Sequence, residues 1–390
     1  MSVLAAIWMS ILSTAAYSDS VQPSERVVNY LVVRETPEAD GRQVGTLRPG
    51  ESAQYLGDEP NRYFIQLTDG TKGYVSKAWA RRVGAAATVV GTGELQIDFI
   101  DVGQGDSSLI SCPNGRHILV DAGSTSDPEE DAIRDFVLKR VDEHQRSIDD
   151  LVITHADEDH YNLIPSVLHD VPVGAILRVG DMEDYRADFQ SWLQDHASKT
   201  EVLSPETFDK EATPSAKLDC GAAKVWVLAA AVKAKKSPKN AMSIVLMVRF
   251  GDFEAILTGD ATTDTEKVIL ERYSKDWLRV DLLKIGHHGS LATSTGTAWA
   301  QALEPKYAVV SSGYDSKYGH PRKEVVQRLE PFTQAAAPHA MRYFTGKSRK
   351  YQSEEIETYA EAIYSTAVSG NITVITDGKT TSLSTAFFEE

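Results

Sequence analysis

Cysteine is scarce: the 390 residues hold two, Cys112 and Cys220. Neither belongs to a CxxC pair, which excludes thiolate metal sites of the zinc-finger type and dithiol redox chemistry. Two cysteines on separate elements read as plain buried thiols. Long hydrophobic runs are missing too. The apolar stretch at residues 3–12 (VLAAIWMSIL) is too short to cross a bilayer, and no later stretch reaches the roughly 18 residues a membrane helix needs. No integral membrane span is therefore expected. Positive charge is in deficit: 40 Lys and Arg stand against 56 Asp and Glu, a net charge of −16. That balance excludes a broad basic face for wrapping nucleic acid. It leaves phosphate substrates open, because bound cations can supply positive charge locally. The first ten residues lack Lys and Arg, yet the early apolar run leads into small residues, and Ala16-Tyr17-Ser18 fits a cleavage site. Residues 1–18 are expected to be a signal peptide and the chain exported, periplasmic or secreted; a cytoplasmic chain is the alternative.

Short apolar runs separated by turn residues fill residues 26–83, at 27–33, 53–56, 63–67 and 73–75, and predict a small all-β unit. Residues 84–93 (GAAATVVGTG) have linker composition. From residue 94 strands and helices alternate. Strands are predicted at 94–102, 107–112, 117–121, 151–153, 175–179, 224–228, 244–250, 253–257, 282–285 and 307–310. The dipeptide Asp127-Pro128 opens a helix running to about residue 144, and further helices are predicted near 184–197, 262–274 and 322–330. The pattern is α/β, with two sheets covered on their outer faces.

The richest segment is Thr154-His155-Ala156-Asp157-Glu158-Asp159-His160, directly after the apolar Leu151-Val152-Ile153. Alternate residues of an extended turn share a side, so His155 and Asp157 can hold one ion while Asp159 and His160 turn to a second. An acidic helix N-terminus would explain the aspartates but not both histidines. A second group, Leu257-Thr258-Gly259-Asp260, ends a strand in a carboxylate suited to bridging two ions. A third, Gly286-His287-His288-Gly289-Ser290, offers one imidazole as ligand and another for substrate; the sequence leaves open which is which. In Tyr318-Gly319-His320-Pro321, His320 is a candidate proton donor to a leaving oxygen. Asp121 can accept from a ligating imidazole. The lysines at 233, 235, 236 and 239 precede Asn240, and Lys236 is taken as a candidate phosphate contact; a solvated loop is the plain alternative.

These motifs together resemble the metallo-β-lactamase superfamily, and within it the hydrolase domain of ComEC-type competence proteins. The resemblance runs over residues 94–386 and rests on Ile100-Asp101-Val102-Gly103-Gln104-Gly105-Asp106-Ser107, on Leu119-Val120-Asp121-Ala122-Gly123, on Asn240-x-x-Ser243 and on the four groups above. It implies an αββα sandwich with two divalent ions, zinc or manganese, at one edge. The implied ligands are His155, Asp157, Asp159, His160, Asp260, His287 and His288, with Asp159 and His320 in catalysis. Asp121, Asn240, Ser243 and Ser290 support them or the substrate. Three features depart from the family pattern. No third-motif histidine follows a strand between the first cluster and Asp260, where only His169 and His196 occur, and Asn240-x-x-Ser243 stands in its place. Asn162-Leu163 replaces a Gly-Gly pair. The transmembrane channel of competence proteins is missing from this sequence. The first unit resembles a bacterial SH3-type domain, through Leu31-Val32-Val33-Arg34, Gly45-Thr46-Leu47-Arg48-Pro49-Gly50, Tyr63-Phe64-Ile65-Gln66-Leu67 and Gly73-Tyr74-Val75-Ser76, with Tyr74 where that family has Trp. It implies contact with peptidoglycan. The expected activity is hydrolysis of a phosphodiester by a water activated between two ions. The alternatives are lactamase- or lactonase-like amide or ester hydrolysis, and a non-catalytic wall-binding protein with a vestigial hydrolase fold.

Overall fold

The computed structural model describes residues 20–388 apart from 24–26, 28, 39–40, 60–61, 77–78, 84–92, 127, 129, 142–146, 205–213, 315, 317 and 347–352. The expected signal peptide and most of the expected linker lie outside the described residues. The chain divides into two compact units, Met1–Ala86 and Ala87–Glu390.

The first unit is a seven-stranded antiparallel sheet: β1 (Ser20–Pro23), β2 (Leu31–Arg34), β3 (Gln43–Leu47), β4 (Ala53–Glu59), β5 (Arg62–Gln66), β6 (Lys72–Ser76) and β7 (Ala80–Val83), ordered β3-β2-β6-β5-β4-β1-β7. Alternating side chains put Leu31, Val33, Ile65 and Val75 into one core, as the two-residue period of a strand requires. The runs at 53–56, 63–67 and 73–75 fall on β4, β5 and β6, while β2 starts later than residue 27. The sequence reading missed β1, β3 and β7, which carry few apolar residues.

The second unit has two sheets. The larger is built from β8 (Leu95–Phe99), β9 (Gly105–Ser111), β10 (His117–Ser124), β11 (Ile148–Ile153), β12 (Val173–Arg178) and β13 (Thr200–Val202). The smaller holds β14 (Lys224–Ala229), β15 (Val245–Phe250), β16 (Phe253–Leu257), β17 (Leu282–Lys284) and β18 (Tyr307–Val310). A hairpin, β19 (His339–Gly346) with β20 (Ser353–Ala360), stands apart; β21 (Ile363–Ser365) joins the smaller sheet, and β22 (Asn371–Thr376) and β23 (Thr381–Ala386) join the larger. The orders are β13-β12-β11-β10-β9-β8-β22-β23 and β14-β15-β16-β17-β18-β21.

Between the sheets lies a core that includes Ile97, Ile110, Val120 and Val152 from one side and Val225, Leu246, Leu257 and Val309 from the other. The helices Glu130–Arg140, Ile164–Val167 and Ala187–Asp195 cover the outer face of the larger sheet. Those at Thr263–Arg272, Thr297–Leu303 and Lys323–Leu329 cover the smaller. This is the αββα sandwich. Buried on both faces, the carboxyl halves of β11 (Leu151-Val152-Ile153) and β18 (Ala308-Val309-Val310) read as unbroken apolar runs rather than alternating ones.

The helix after Pro128 ends at Arg140 rather than near 144. The plain-thiol expectation is overturned: Cys112 and Cys220 form a disulfide. Cys112 directly follows β9 and Cys220 pairs with Ala223 in an isolated bridge, and both sit in the core between the sheets. The fold closes 108 residues of separation that a reading along the chain cannot see.

Candidate metal centre

Neighbours β10 and β11 run parallel, as do β16, β17 and β18, so their carboxyl ends share an edge in each sheet. Every histidine- or aspartate-bearing motif leaves from such an end, where open α/β sheets bind ligands. The backbone joins the two edges where Ile244 N donates to Thr154 O at 2.9 Å, and within the smaller sheet's edge His287 N donates to Gly259 O at 3.3 Å. Within β10 a bulge falls at Asp121, whose φ of +59° turns the side chain out of register. Its carboxylate accepts from Thr154 N at 2.7 Å and Thr154 Oγ1 at 2.6 Å, and its Oδ2 lies 2.7 Å from His160 Nδ1. Those bonds hold a backbone conformation that aspartate rarely adopts.

Asp260 sits at the centre. Its Oδ1 is 3.3 Å from His160 Nε2, and its Oδ2 is 3.6 Å from both His287 Nε2 and His288 Nε2 and 3.9 Å from His155 Nε2. Asp157 Oδ2 lies 3.5 Å from His155 Nε2, and Asp159 Oδ2 lies 3.3 Å from His288 Nε2. Around this core the second groups are in place. His160 Nδ1 faces Asp121, and His288 Nδ1 faces Ser311 O at 2.9 Å. Each ring therefore donates through Nδ1 and turns its Nε2 to the centre. Thr293 Oγ1 donates to Ser290 Oγ at 2.9 Å, so it accepts from His287 Nδ1 at 2.7 Å. Ser243 Oγ accepts from Asp260 N at 3.1 Å. Asn240 Nδ2 lies 3.1 Å from Asp157 Oδ2, 3.3 Å from Asp260 Oδ2 and 3.4 Å from His155 Nε2, where a third-motif histidine is absent. Asn162 bonds Ser124 through both side-chain atoms, Nδ2 to O at 2.7 Å and Oδ1 from N at 2.8 Å, and so pins the turn that lacks Gly-Gly.

The residues fit divalent cations. His160 Nε2, His288 Nε2 and Asp260 Oδ1 are buried with no hydrogen-bond partner, which proteins avoid unless something else satisfies the atoms. Ligand atoms of His155, His160 and Asp260 lie within 4.8 Å of one another, as do those of Asp159, His160 and His288. Nitrogen and carboxylate oxygen are the donors that zinc and manganese accept.

Charge in the cluster is strongly coupled. Burial alone would raise Asp260 and Asp159. The surrounding imidazoles outweigh it, His288 foremost, and hold Asp260 well below its usual value and Asp159 at about 2. Burial would lower His160 and His288, but Asp260 leads the carboxylates that keep both rings raised. His287 is lowered by burial. His320, its Nδ1 buried and unpartnered, is pushed down to about 3 by burial and by His288 and His287. At neutral pH that ring is uncharged, so it enters as a hydrogen-bonding group rather than as a ready-made imidazolium acid.

Lys239, not Lys236, reaches the cluster: its Nζ donates to Ala156 O at 3.2 Å and Asp184 O at 2.9 Å, and stands 4.0 Å from Asp157 Oδ1. Lys236 lines a separate cleft. Sequence reasoning also missed Thr154, Thr293 and the buried ion pair Lys284–Asp106. A lysine inside the apolar run Leu282-Leu283-Lys284-Ile285 was the available signal, because a buried lysine needs a partner. In the first unit Tyr30, Trp79, Arg34 and Arg62 line a groove of about 630 Å³, with Tyr30 and Trp79 half exposed.

A two-sheet sandwich with this site at the strand ends defines a metallo-β-lactamase-type protein. Residues 100–232 match the Metallo-beta-lactamase superfamily and residues 29–80 match the Bacterial SH3 domain. The chain thus carries a metallo-β-lactamase domain and a bacterial SH3 domain, and its relatives include ComEC-type competence proteins. It is 30% identical over 267 residues to ComE operon protein 3 of Bacillus subtilis (strain 168), covering 61% of this chain and 31% of the relative. It is 30% identical over 240 residues to Competence protein ComA of Neisseria gonorrhoeae, covering 60% and 30%. The matches thus span under a third of either relative's length. Among solved structures, CmlA, a diiron beta-hydroxylase from Streptomyces venezuelae, overlaps at a TM-score of 0.36 with 18% identity, covering 55% of this chain and 44% of that one.

Proposed function

We propose that this protein is an exported, two-metal phosphodiester hydrolase. The carrying observation is the convergence of buried, unpartnered His160 Nε2, His288 Nε2 and Asp260 Oδ1 among further carboxylates. His155, Asp157 and Asp260 would hold one ion and Asp159, His160 and His288 the other, with Asp260 common to both. Asn240 Nδ2 donates to Asp157 and Asp260 and so steadies the first set. Such ions, when bound, supply an acidified water and positive charge for a phosphoryl oxygen. Five roles then fall to the chain. Asp121 and Ser311 orient His160 and His288; Asp159 is placed to take a proton from the attacking water; His287, held by Thr293, faces the substrate. Neutral His320 donates a hydrogen bond toward the leaving oxygen as negative charge develops there. Lys239 braces the loop carrying Asp157. An oxygen-rich set of this kind favours zinc or manganese and phosphoryl over lactam chemistry. The Cys112–Cys220 disulfide supports an oxidising, extracytoplasmic location. The groove at Trp79 and Tyr30 supports peptidoglycan contact by the SH3-like domain.

The test is turnover of bis-p-nitrophenyl phosphate and of nitrocefin by metal-stripped protein reloaded with zinc or manganese. Diester turnover with about two metal equivalents per chain is expected. Nitrocefin turnover without diester turnover would overturn the reading in favour of lactamase-like chemistry, and loss of neither metal nor rate in Asp260→Asn would remove the bridging role.

A further inference from the structure

The helix Thr263–Arg272 leaves the strand end that carries Asp260. It is fixed on its own account. Ile269 packs into the core outside the smaller sheet, and Thr265 Oγ1 donates to Ala241 O at 2.8 Å, beside Asn240. The same helix holds Glu266, a buried acid that no step of the hydrolysis uses.

Both carboxylate oxygens of Glu266 point at a neighbouring loop. Oε2 accepts from Gly296 N at 2.9 Å and Oε1 from Thr295 N. From another helix, Lys323–Leu329, Arg328 Nη1 donates to Thr295 O. Glu266 and Arg328 thus grip the N–H and the C=O of one residue. That residue is strained: Thr295 stands at φ +52°, a β-branched side chain in the left-handed region. Strain of this kind persists only where the surroundings over-determine it, and it collects at functional sites.

Two residues earlier the loop meets the metal centre. Thr293 O accepts from Thr263 N at 2.7 Å. Thr293 Oγ1 donates to Ser290 Oγ at 2.9 Å and accepts from His287 Nδ1 at 2.7 Å. A hydroxyl has one proton, so with Ser290 as its acceptor Thr293 can only receive from the ring. A neutral His287 that donates through Nδ1 has Nε2 free to accept, on the side where Asp260 Oδ2 lies 3.6 Å away.

We propose that Glu266 is a positioning residue for His287. With Arg328 it fixes the strained loop 293–296, and through Thr293 Oγ1 it sets the tautomer and tilt in which His287 turns Nε2 to the substrate. Without that grip Thr295 relaxes, Thr293 draws away, and the ring exchanges between its two tautomers. The proposal rests on the reading of His287 as a substrate-facing group and is independent of which ester is cleaved.

The experiment uses full-length, zinc-loaded protein labelled with nitrogen-15 only in its ten histidines. Long-range proton–nitrogen spectra at about pH 8 read each ring's tautomer, and the signal lost in His287→Gln assigns that ring. Wild type should show His287 protonated on Nδ1. Glu266→Met fills similar space without an acceptor. It should move that signal toward the average of the two tautomers and leave His155, His160, His288 and the metal content as they were. Glu266→Gln keeps one acceptor and should recover part of the wild-type signal. In turnover of bis-p-nitrophenyl phosphate, Glu266→Met and Thr293→Val should each lower kcat about tenfold, and the double variant should fall no lower than either single one, as coupled groups do. An unmoved His287 signal in Glu266→Met would overturn the positioning role. So would losses that multiply, the absence of any recovery in Glu266→Gln, or equal shifts of all the centre's histidines with loss of metal, which mark a general loosening of the fold. If Glu266→Met does not fold, Arg328→Ala releases the partly exposed end of the same grip and is read in the same way. A wild type in which Glu266 governs the His287 tautomer but no diester is cleaved would remove the phosphodiesterase reading and leave the positioning role standing.

Discussion

At the residue scale the site depends on positions that are small as much as on positions that are charged. A Cβ added at Gly123 would lie 2.4 Å from Asp159 C and His160 N, and backbone on both sides leaves nothing flexible to move aside. Gly123→Ala should therefore cost about 1–3 kcal/mol of stability and displace Asp159 and His160, so metal content falls with it. Urea unfolding together with elemental analysis measures both effects. Gly57→Ala is the control, since nothing lies within 4 Å of its added Cβ; equal losses in the two variants would refute the steric account. The ligand-type residues were legible in the sequence because four of them crowd into six positions after an apolar strand. Their supports were not. Thr154 and Thr293 are ordinary residues until the fold brings Asp121 and His287 to them, and Lys236 and Lys239 look alike until one of them meets Asp184 O.

At the element scale the helix Thr263–Arg272 carries a buried acid. Glu266 accepts from Gly296 N at 2.9 Å and from Thr295 N, which ties the helix to the loop after the His287-His288 pair. Burial raises its carboxyl from 4.5 to about 7, against the lowering effect of those two amides. The unfolded chain thus loses this proton first as pH rises. The stability from the protonated group is complete below about pH 4.5 and is lost as pH climbs through 7, by at most roughly 3 kcal/mol. Glu266→Gln mimics the protonated form and should flatten the decline between pH 5 and 8 in urea midpoints. Parallel profiles for the two proteins would mean that Glu266 is ionised throughout. Most strands of this unit between residues 95 and 310 were readable because buried strands carry apolar runs, whereas the short β13 and the helices Ile164–Val167 and Thr297–Leu303 were missed. The strands β19 to β23 were missed. Tyr, Thr, Ser and Glu dominate β20 and β23, and their place is fixed by pairing with β19 and β22 rather than by an apolar period.

At the scale of the whole molecule two cross-links join distant parts of the sandwich, one covalent and one ionic. The disulfide between Cys112 and Cys220 ties the end of β9 to the segment before β14. Denatured, unreduced protein should show no titratable thiol, and replacing both cysteines by serine should cost about 2–5 kcal/mol of unfolding free energy. The ionic link is the proposed metal centre, whose candidate ligands follow the ends of β11, β16 and β17 and therefore come from both sheets. Unfolding scatters those ligands, so ions that bind the folded chain stabilise it by about 2.7 kcal/mol each when present at a hundred times their dissociation constant. Protons compete for the same atoms. Asp260 and its neighbouring carboxylates hold His160 and His288 above their usual values in the absence of metal, so binding must release protons from both rings. Affinity, and with it the metal-dependent gain in melting temperature, should then grow as pH rises from 6 to 8. Differential scanning calorimetry of stripped and zinc-loaded protein at the two pH values measures it. A gain that is equal at both, or larger at pH 6, would mean that His160 and His288 are not displaced from their protons by the ion and that the ligands lie elsewhere.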